Sequence, residues 1–136
     1  MSARTKARKR ALDVLYSADV RGQSLADALS AEAARAIGDT ARTQSWAYAR
    51  EIIQGVIDHA EEIDETIQAY ARDWPLERMP AIDRALLRIG VWEIVFNDEV
   101  PAPVAIAEAV ESAQLHSTEE SARFVNGVLG RIAEAQ

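Results

Sequence analysis

The amino-acid sequence predicts an all-α protein. Apolar residues recur at steps of three and four along most of the 136 residues, which is the spacing of one buried helical face. No segment alternates apolar and polar residues as a half-buried strand does, and the chain has no internal repeat or low-complexity tract. Gly, Pro and Ser residues separate the periodic segments. We therefore expect a single all-α domain over residues 1–136, a compact bundle of about seven helices.

The first predicted helix starts near the N-terminus and stops at Gly22. Its apolar stripe recurs at i, i+4, i+7, i+8 and i+11, and consists of Ala7, Ala11, Val14, Leu15 and Ala18. At about 100° per residue, Lys6, Lys9 and Tyr16 project together on the side that faces away from this stripe. The sequence thus places an aromatic ring two turns beyond an ammonium group on an exposed face.

The middle of the chain is also helical. Ser24 can cap a second helix that runs through Ile37, and Gly38 closes it. The clearest periodicity follows, in Trp46, Ala49, Ile53, Val56, Ala60, Ile63, Ile67 and Tyr70. It is compatible with one long helix over residues 41–72 or with two helices joined near His59, and both remain open. The dipeptides Trp74-Pro75 and Met79-Pro80 then bracket a short connection.

The next helix, from Pro80 to Phe96, is apolar around nearly its whole circumference and is predicted to run through the middle of the fold. Its apolar residues are Ile82, Leu86, Leu87, Ile89, Val91, Trp92, Ile94, Val95 and Phe96. Arg84 and Arg88 lie four residues apart and share one narrow edge. Two like charges there need either acidic partners on adjacent helices or an external anion, and both alternatives stay open.

Two further helices complete the chain. Residues 97–103 form a turn, and the helix that follows has a stripe of Ile106, Ala109, Val110 and Ala113. The run from Ser117 to Glu120 has the form of a capping box, with Ser117 as the cap. The last helix buries Val125, Val128, Leu129 and Ile132. Phe124 is left on the border of that apolar face.

Charge is segregated along the sequence. Five of the 15 basic residues lie in the first ten positions, without an acidic residue among them: Arg4, Lys6, Arg8, Lys9 and Arg10. This segment carries +5 and the remainder carries −12, from 10 basic and 22 acidic residues. The asymmetry indicates either an arm that binds a polyanion or a solvated basic tail. An exposed Tyr16 beside lysines suits single-stranded RNA, because phosphates attract cations and bases stack on tyrosine; the alternative for Tyr16 is an ordinary boundary residue.

Other classes of function are disfavoured. The chain has no cysteine, no apolar run near the roughly 20 residues of a membrane span and no signal-peptide core, so we expect a soluble cytoplasmic protein. Phosphate-binding loops, dinucleotide fingerprints, zinc-protease motifs and nucleophile elbows are all missing from the sequence. His59 and His116 stand alone, as a helix-end residue and a turn residue. We expect no catalytic residues, cofactor or metal.

Four segments of the sequence resemble the bacterial transcription antitermination factor family NusB. They are R-x-x-A-L-x-V-L-Y (8–16), M-P-A-I-D-R-A-L-L-R-I-G-V-W-E (79–93), D-E-V-P-x-x-V-A-I-x-E-A-V-E (98–111) and E-E-S-A-R-F-V-N-G-V-L (119–129). The segments follow the family order, and residues 23–75 match only in pattern. Two positions depart from the family: Ser117 stands where many members have Gly, and Ala107 stands where many have Asn.

The resemblance implies an all-helical fold of two packed three-helix-bundle-like halves. It also implies a protein that binds the boxA element of ribosomal RNA leader transcripts together with the ribosomal protein NusE, within an RNA polymerase antitermination complex. In such proteins RNA runs over the first helix and the start of the last. The matching positions here are Arg4, Lys6, Arg8, Tyr16, Arg84, Arg88, Glu120, Phe124 and Asn126. Lys9 joins them as part of the basic segment.

An acidic body predicts a basic protein partner, which the NusE of the resemblance would supply. Glu77 and Asp83, before and within the start of the central helix, are the candidate docking residues, although acids are also favoured at helix starts for their own sake. A homodimer is a further alternative, since some family members form one. Burial of the basic first helix in such a dimer would occlude RNA.

Three classes of function remain open. The first is an RNA-binding antitermination subunit, which the charge segregation and the resemblance both favour. The second is the NusB-like accessory domain of a ribosomal RNA cytosine methyltransferase, which the absence of an S-adenosylmethionine-binding domain after residue 136 disfavours. The third is a helical adaptor that binds only proteins, with a solvated basic arm.

Overall fold

The computed structural model describes residues 2–38 and 40–136, with side chains for residues 2–38 and 45–136. This part of the chain contains seven α-helices and no β-strand, which confirms the predicted all-α class. None of these helices has both the length and the apolar character needed to cross a bilayer. The helices belong to two compact units, of which unit 1 ends at Asp58 and unit 2 begins at His59. A single domain over residues 1–136 stays a prediction.

Unit 1 is built from three helices that contact one another: α1 (Ala3–Arg21), α2 (Leu25–Ala36) and α3 (Thr40–Asp58). Ser2 and Ser24 cap the first two, since their hydroxyls accept hydrogen bonds from the backbone N–H groups of Thr5 and Asp27. Gly22 ends α1 in the left-handed conformation, with φ of 66°, which glycine adopts without a steric penalty. The predicted stripe of α1 is buried in full.

Unit 2 contains the other four helices: α4 (Ala60–Tyr70), α5 (Ala81–Val91), α6 (Ala102–His116) and α7 (Glu119–Glu134). The long periodic segment is therefore two helices, separated at His59, whose ψ of 25° departs from helical geometry. A 3₁₀ turn at Leu76–Arg78 lies in the connection that the two prolines bracket.

Helix α5 contacts α4, α6 and α7 and is therefore central within unit 2, while its place in the middle of the whole fold stays a prediction. The predicted helix to Phe96 changes character after Val91, because Trp92–Phe96 form a π-helical turn. Gly90 lets α5 approach α7 closely. A Cβ atom at that position would lie 2.6 Å from Cδ1 of Leu129, which is fully buried.

The start of α7 differs from the predicted capping box. Thr118 caps the helix, since its Oγ1 accepts a hydrogen bond of 3.0 Å from the N–H of Ser121. Ser117 is therefore not the cap. Its Oγ lies 2.9 Å from Ser121 Oγ and 3.4 Å from Asp83 Oδ1, so this hydroxyl connects the start of α7 to the first turn of α5. The apolar stripe predicted for α7 is buried.

Candidate nucleic-acid interface

The basic N-terminal segment is a helix from Ala3 onward, as its periodicity predicted, and the helix presents its cations on two sides. Lys6, Lys9 and Tyr16 are exposed on the side away from the core of unit 1, with Tyr16 39% exposed. Lys9 forms an ion pair of 2.6 Å with Asp13 one turn later. Two ammonium groups and an aromatic ring thus share one solvent-facing surface, which we call the outer face of α1.

Arg4 and Arg8 lie on a different flank of α1, against a ring that α3 supplies. Their guanidinium carbons are 4.8 Å and 5.7 Å from the centroid of Tyr48, within the range of cation–π attraction. Arg8 is only 9% exposed, whereas Arg4 is exposed. Sequence reasoning missed Tyr48. It lies in α3 beside the buried Ala49, so the only signal was an aromatic residue at the margin of an apolar stripe.

Phe124, at the margin of α7, packs against Trp74. The two rings meet edge to face, with centroids 4.8 Å apart and an angle of 64° between their planes. Both side chains are half-buried. Glu120 precedes Phe124 by four residues and so lies on the same side of α7, where it is exposed. The sequence had indicated Trp74 only as part of a turn, so this aromatic pair is a finding of the structure.

Asn126 lies away from that aromatic pair. At about 100° per residue it projects on the opposite flank of α7 from Phe124. There it lines a shallow groove of about 350 Å³ with Arg123 and with Val110 and Gln114 of α6. The structure therefore separates two predicted site residues that are only two positions apart in the sequence.

Arg84 and Arg88 both bind groups within unit 2. Arg84 Nη1 donates to the carbonyl oxygens of Leu76, Glu77 and Met79 at 2.8–3.3 Å, which ties the loop before α5 to the helix. Arg88 donates from Nε and Nη2 to the two carboxylate oxygens of Asp64 on α4, at 2.9 and 3.2 Å. The alternative of an acidic partner on an adjacent helix thus holds for Arg88. An RNA contact of either arginine stays a prediction.

The two acidic docking candidates differ in position. Glu77 is exposed in the loop before α5. Asp83 is fully buried, and its Oδ2 accepts no hydrogen bond from the described residues. Burial raises the pKa of Asp83, while the hydroxyls of Ser121 and Ser117 lower it. The predicted partner contact is corrected for Asp83, because a side chain without exposed surface cannot touch a docking protein.

Comparison with known proteins gives consistent matches over nearly the whole chain. The model of the NusB family matches residues 5–134. A transcription antitermination protein NusB of Leifsonia xyli subsp. xyli is 66% identical, over 98% of this chain and 93% of that protein. Among solved structures, T. maritima NusB is 32% identical with a TM-score of 0.83, over 96% of this chain and 90% of that chain. A chain from a crystal structure of antitermination factors NusB and NusE in complex with dsRNA is 28% identical, with a TM-score of 0.83, over 100% and 99%.

Proposed function

Because the chain belongs to the NusB family, we propose that it is a transcription antitermination protein that binds RNA together with NusE. Its RNA target is the boxA element of ribosomal RNA leader transcripts, and the complex acts on RNA polymerase to promote read-through. The role is one of binding and assembly rather than catalysis. It locates the protein in the cytoplasm, where transcripts are made.

The outer face of α1 is the observation that carries this proposal. Lys6 and Lys9 supply ammonium groups for phosphates, with release of counterions, and Tyr16 supplies a ring on which an unstacked base can rest. Arg4 and Arg8 add positive charge on the neighbouring flank. The contact of both guanidinium groups with Tyr48 restricts their motion, so less conformational entropy is lost when a phosphate binds.

In unit 2, we assign RNA contacts to the side of α7 that carries Glu120 and Phe124. Trp74 packs edge to face against Phe124 and holds the phenyl ring at a fixed angle, so that a base can stack on it. The exposed Glu120 offers carboxylate oxygens to base amino groups. Asn126 would meet RNA only from the opposite flank of the helix, and Arg84 and Arg88, which both bind groups within unit 2, are assigned to RNA on the family resemblance alone.

NusE is the basic partner that the charge distribution favours. Residues 11–136 carry −12, which repels RNA and attracts a cationic protein. Glu77 is the remaining acidic docking residue, and the three hydrogen bonds from Arg84 fix the loop that presents it. A homodimer that buries the outer face of α1 would compete with RNA, so RNA should shift a dimer toward the monomer.

The test is the binding of a fluorescent boxA-like RNA, measured by anisotropy at several salt concentrations with and without NusE. We expect strongly salt-dependent binding that NusE tightens severalfold or more, and by linkage RNA should tighten NusE binding by the same factor. Lys6→Gln should flatten the slope of log K against log salt by about 0.7 for a single-stranded contact. Arg50→Gln removes an equal, exposed charge from α3 and serves as the control. Equal slopes in both variants would refute a phosphate contact at Lys6.

A further inference from the structure

An open, cationic groove runs along the side of α1 that faces α2 in unit 1. Its volume is about 700 Å³, and among the residues that line it are Lys6, Lys9, Arg10, Arg21 and Arg35. Two acidic residues, Asp13 and Glu32, are also among the described residues that line it, and these seven charged side chains sum to +3 in a chain whose net charge is −7. The groove therefore concentrates positive charge on a protein whose net charge is negative, which indicates an anionic ligand.

We propose that this groove binds the phosphate backbone of the RNA beyond the segment held on the outer face of α1. Lys6 and Lys9 belong to both surfaces, so one cationic strip passes from Tyr16 around α1 into the groove. From Lys6 to Arg21 the helix extends about 22 Å at 1.5 Å per residue. That length accommodates several nucleotides. The inference rests on the RNA-binding function proposed above and adds Arg10, Arg21 and Arg35 to its contacts.

The lining of the groove favours a phosphodiester chain over a small organic molecule. Pockets for small molecules are enclosed and mostly apolar, whereas this groove is open and lined largely by charged and hydroxyl side chains, including Ser17 and Ser45. None of the lining residues whose side chains the structure describes is aromatic, so these residues offer bases no stacking surface. Binding in the groove should therefore depend on charge and hardly on sequence.

The two acidic side chains of the groove do not cancel its charge. Glu32 is buried and forms an ion pair of 2.8 Å with Arg35. A guanidinium has five N–H donors, so one bond to a carboxylate does not use its whole capacity to bind a phosphate. Asp13 pairs with Lys9 at the outer edge. Arg21 lies at the end of α1, where it is exposed.

The experiment compares two RNAs, a boxA-like core and the same core extended by a run of uridines, in wild type and in single variants. Arg21→Gln and Arg35→Gln remove groove charges, and Arg50→Gln, at an exposed position of α3 that does not line the groove, is the matched control. We expect the extension to tighten binding to wild type and to the control. In each groove variant that gain should fall, with the slope of log K against log salt for the extended RNA flattened by about 0.7, while the core RNA binds as before.

Three outcomes would overturn the inference. If the extension tightens binding equally in Arg21→Gln and in Arg50→Gln, the groove does not hold the backbone. If poly-glutamate peptide, and not the extended RNA, shifts the side-chain Nε–H NMR signals of Arg21 and Arg35, the groove is a site for acidic peptides. Failure of wild type to bind either RNA would refute the proposed function itself. Because Arg21→Gln leaves the Glu32–Arg35 pair intact, it tests the groove even if Arg35→Gln unfolds.

Discussion

Tyr16 allows the sharpest test of the outer face of α1, since its ring can be altered without loss of the core. We expect Tyr16→Leu to weaken RNA binding by about 1–3 kcal/mol, the range for one base stacked on an aromatic side chain. At about 1.4 kcal/mol per tenfold change, Kd should rise by roughly 5- to 140-fold. Tyr16→Phe keeps the ring and should bind RNA nearly as well as wild type.

The effect of Tyr16→Leu on stability should be smaller. The side chain is 39% exposed, and leucine replaces much of the apolar surface that is buried against α1 and its neighbours. A swap of this kind costs less than about 1.5 kcal/mol. Since a domain is typically stable by about 5–15 kcal/mol, the variant should remain folded during the binding assay.

Binding and unfolding must be measured on the same preparations. Anisotropy with a boxA-like RNA gives Kd, and urea unfolding followed by circular dichroism gives the free energy of unfolding. Val20→Ala is the matched control, because Val20 lies one turn beyond Tyr16 on the same face and is 61% exposed, yet offers no ring. Unchanged RNA binding in Tyr16→Leu, with a loss of stability above about 3 kcal/mol, would show that Tyr16 is a core residue and refute the stacking argument.

Three further predictions concern unit 2. Gly90→Ala should lower the free energy of unfolding by up to about 2 kcal/mol, because the cost of overpacking against Leu129 exceeds the gain in helix propensity. A variant that is more stable than wild type in urea unfolding would contradict the 2.6 Å distance between the added Cβ atom and Leu129 Cδ1. Wild type should lose stability relative to Asp83→Asn as pH rises above about 3.8, the ordinary pKa of this carboxyl, because a raised pKa in the folded protein makes the unfolded chain ionise first. Parallel stability curves would disprove this prediction. Arg88→Ala should lower the free energy of unfolding by about 1 kcal/mol, and adding Asp64→Ala should lower it little further, because the two side chains form one pair. Additive losses in a double-mutant cycle would argue against that pairing.

The helical content and the exposed α1 face could be predicted because both are local properties of the sequence. A buried stripe at steps of three and four fixes which side of a helix faces inward, and therefore places Lys6 and Tyr16 outside. The family resemblance supplied the roles of those residues, and the comparisons confirmed the family. The choice between one helix over residues 41–72 and two helices joined near His59 could not be made from the sequence, because the apolar pattern continues across the break and only the backbone geometry interrupts it.

The pairings between side chains of different elements could not be predicted from the periodicity of the sequence. Arg8 meets Tyr48, Phe124 meets Trp74 and Arg88 meets Asp64, and each partner is at least 24 residues away in the sequence. Helical spacing gives the direction in which a side chain projects from its own helix, but it does not say which other helix or loop that side chain meets. For the same reason Asp83 was predicted at the surface, although it is buried beside Ser117 at the start of α7.

The class of fold, the position of most helices, the sign and location of the charge, and the family could all be predicted from the sequence alone. These properties follow from apolar repeats and motifs, each of which lies within a short segment of the sequence. The packing of the helices, which the sequence does not contain, decides which cations are held by a ring or a carboxylate and places a cationic groove along α1 and α2. Burial and pairing depend on how helices pack against one another, and packing brings together residues that no local sequence pattern relates.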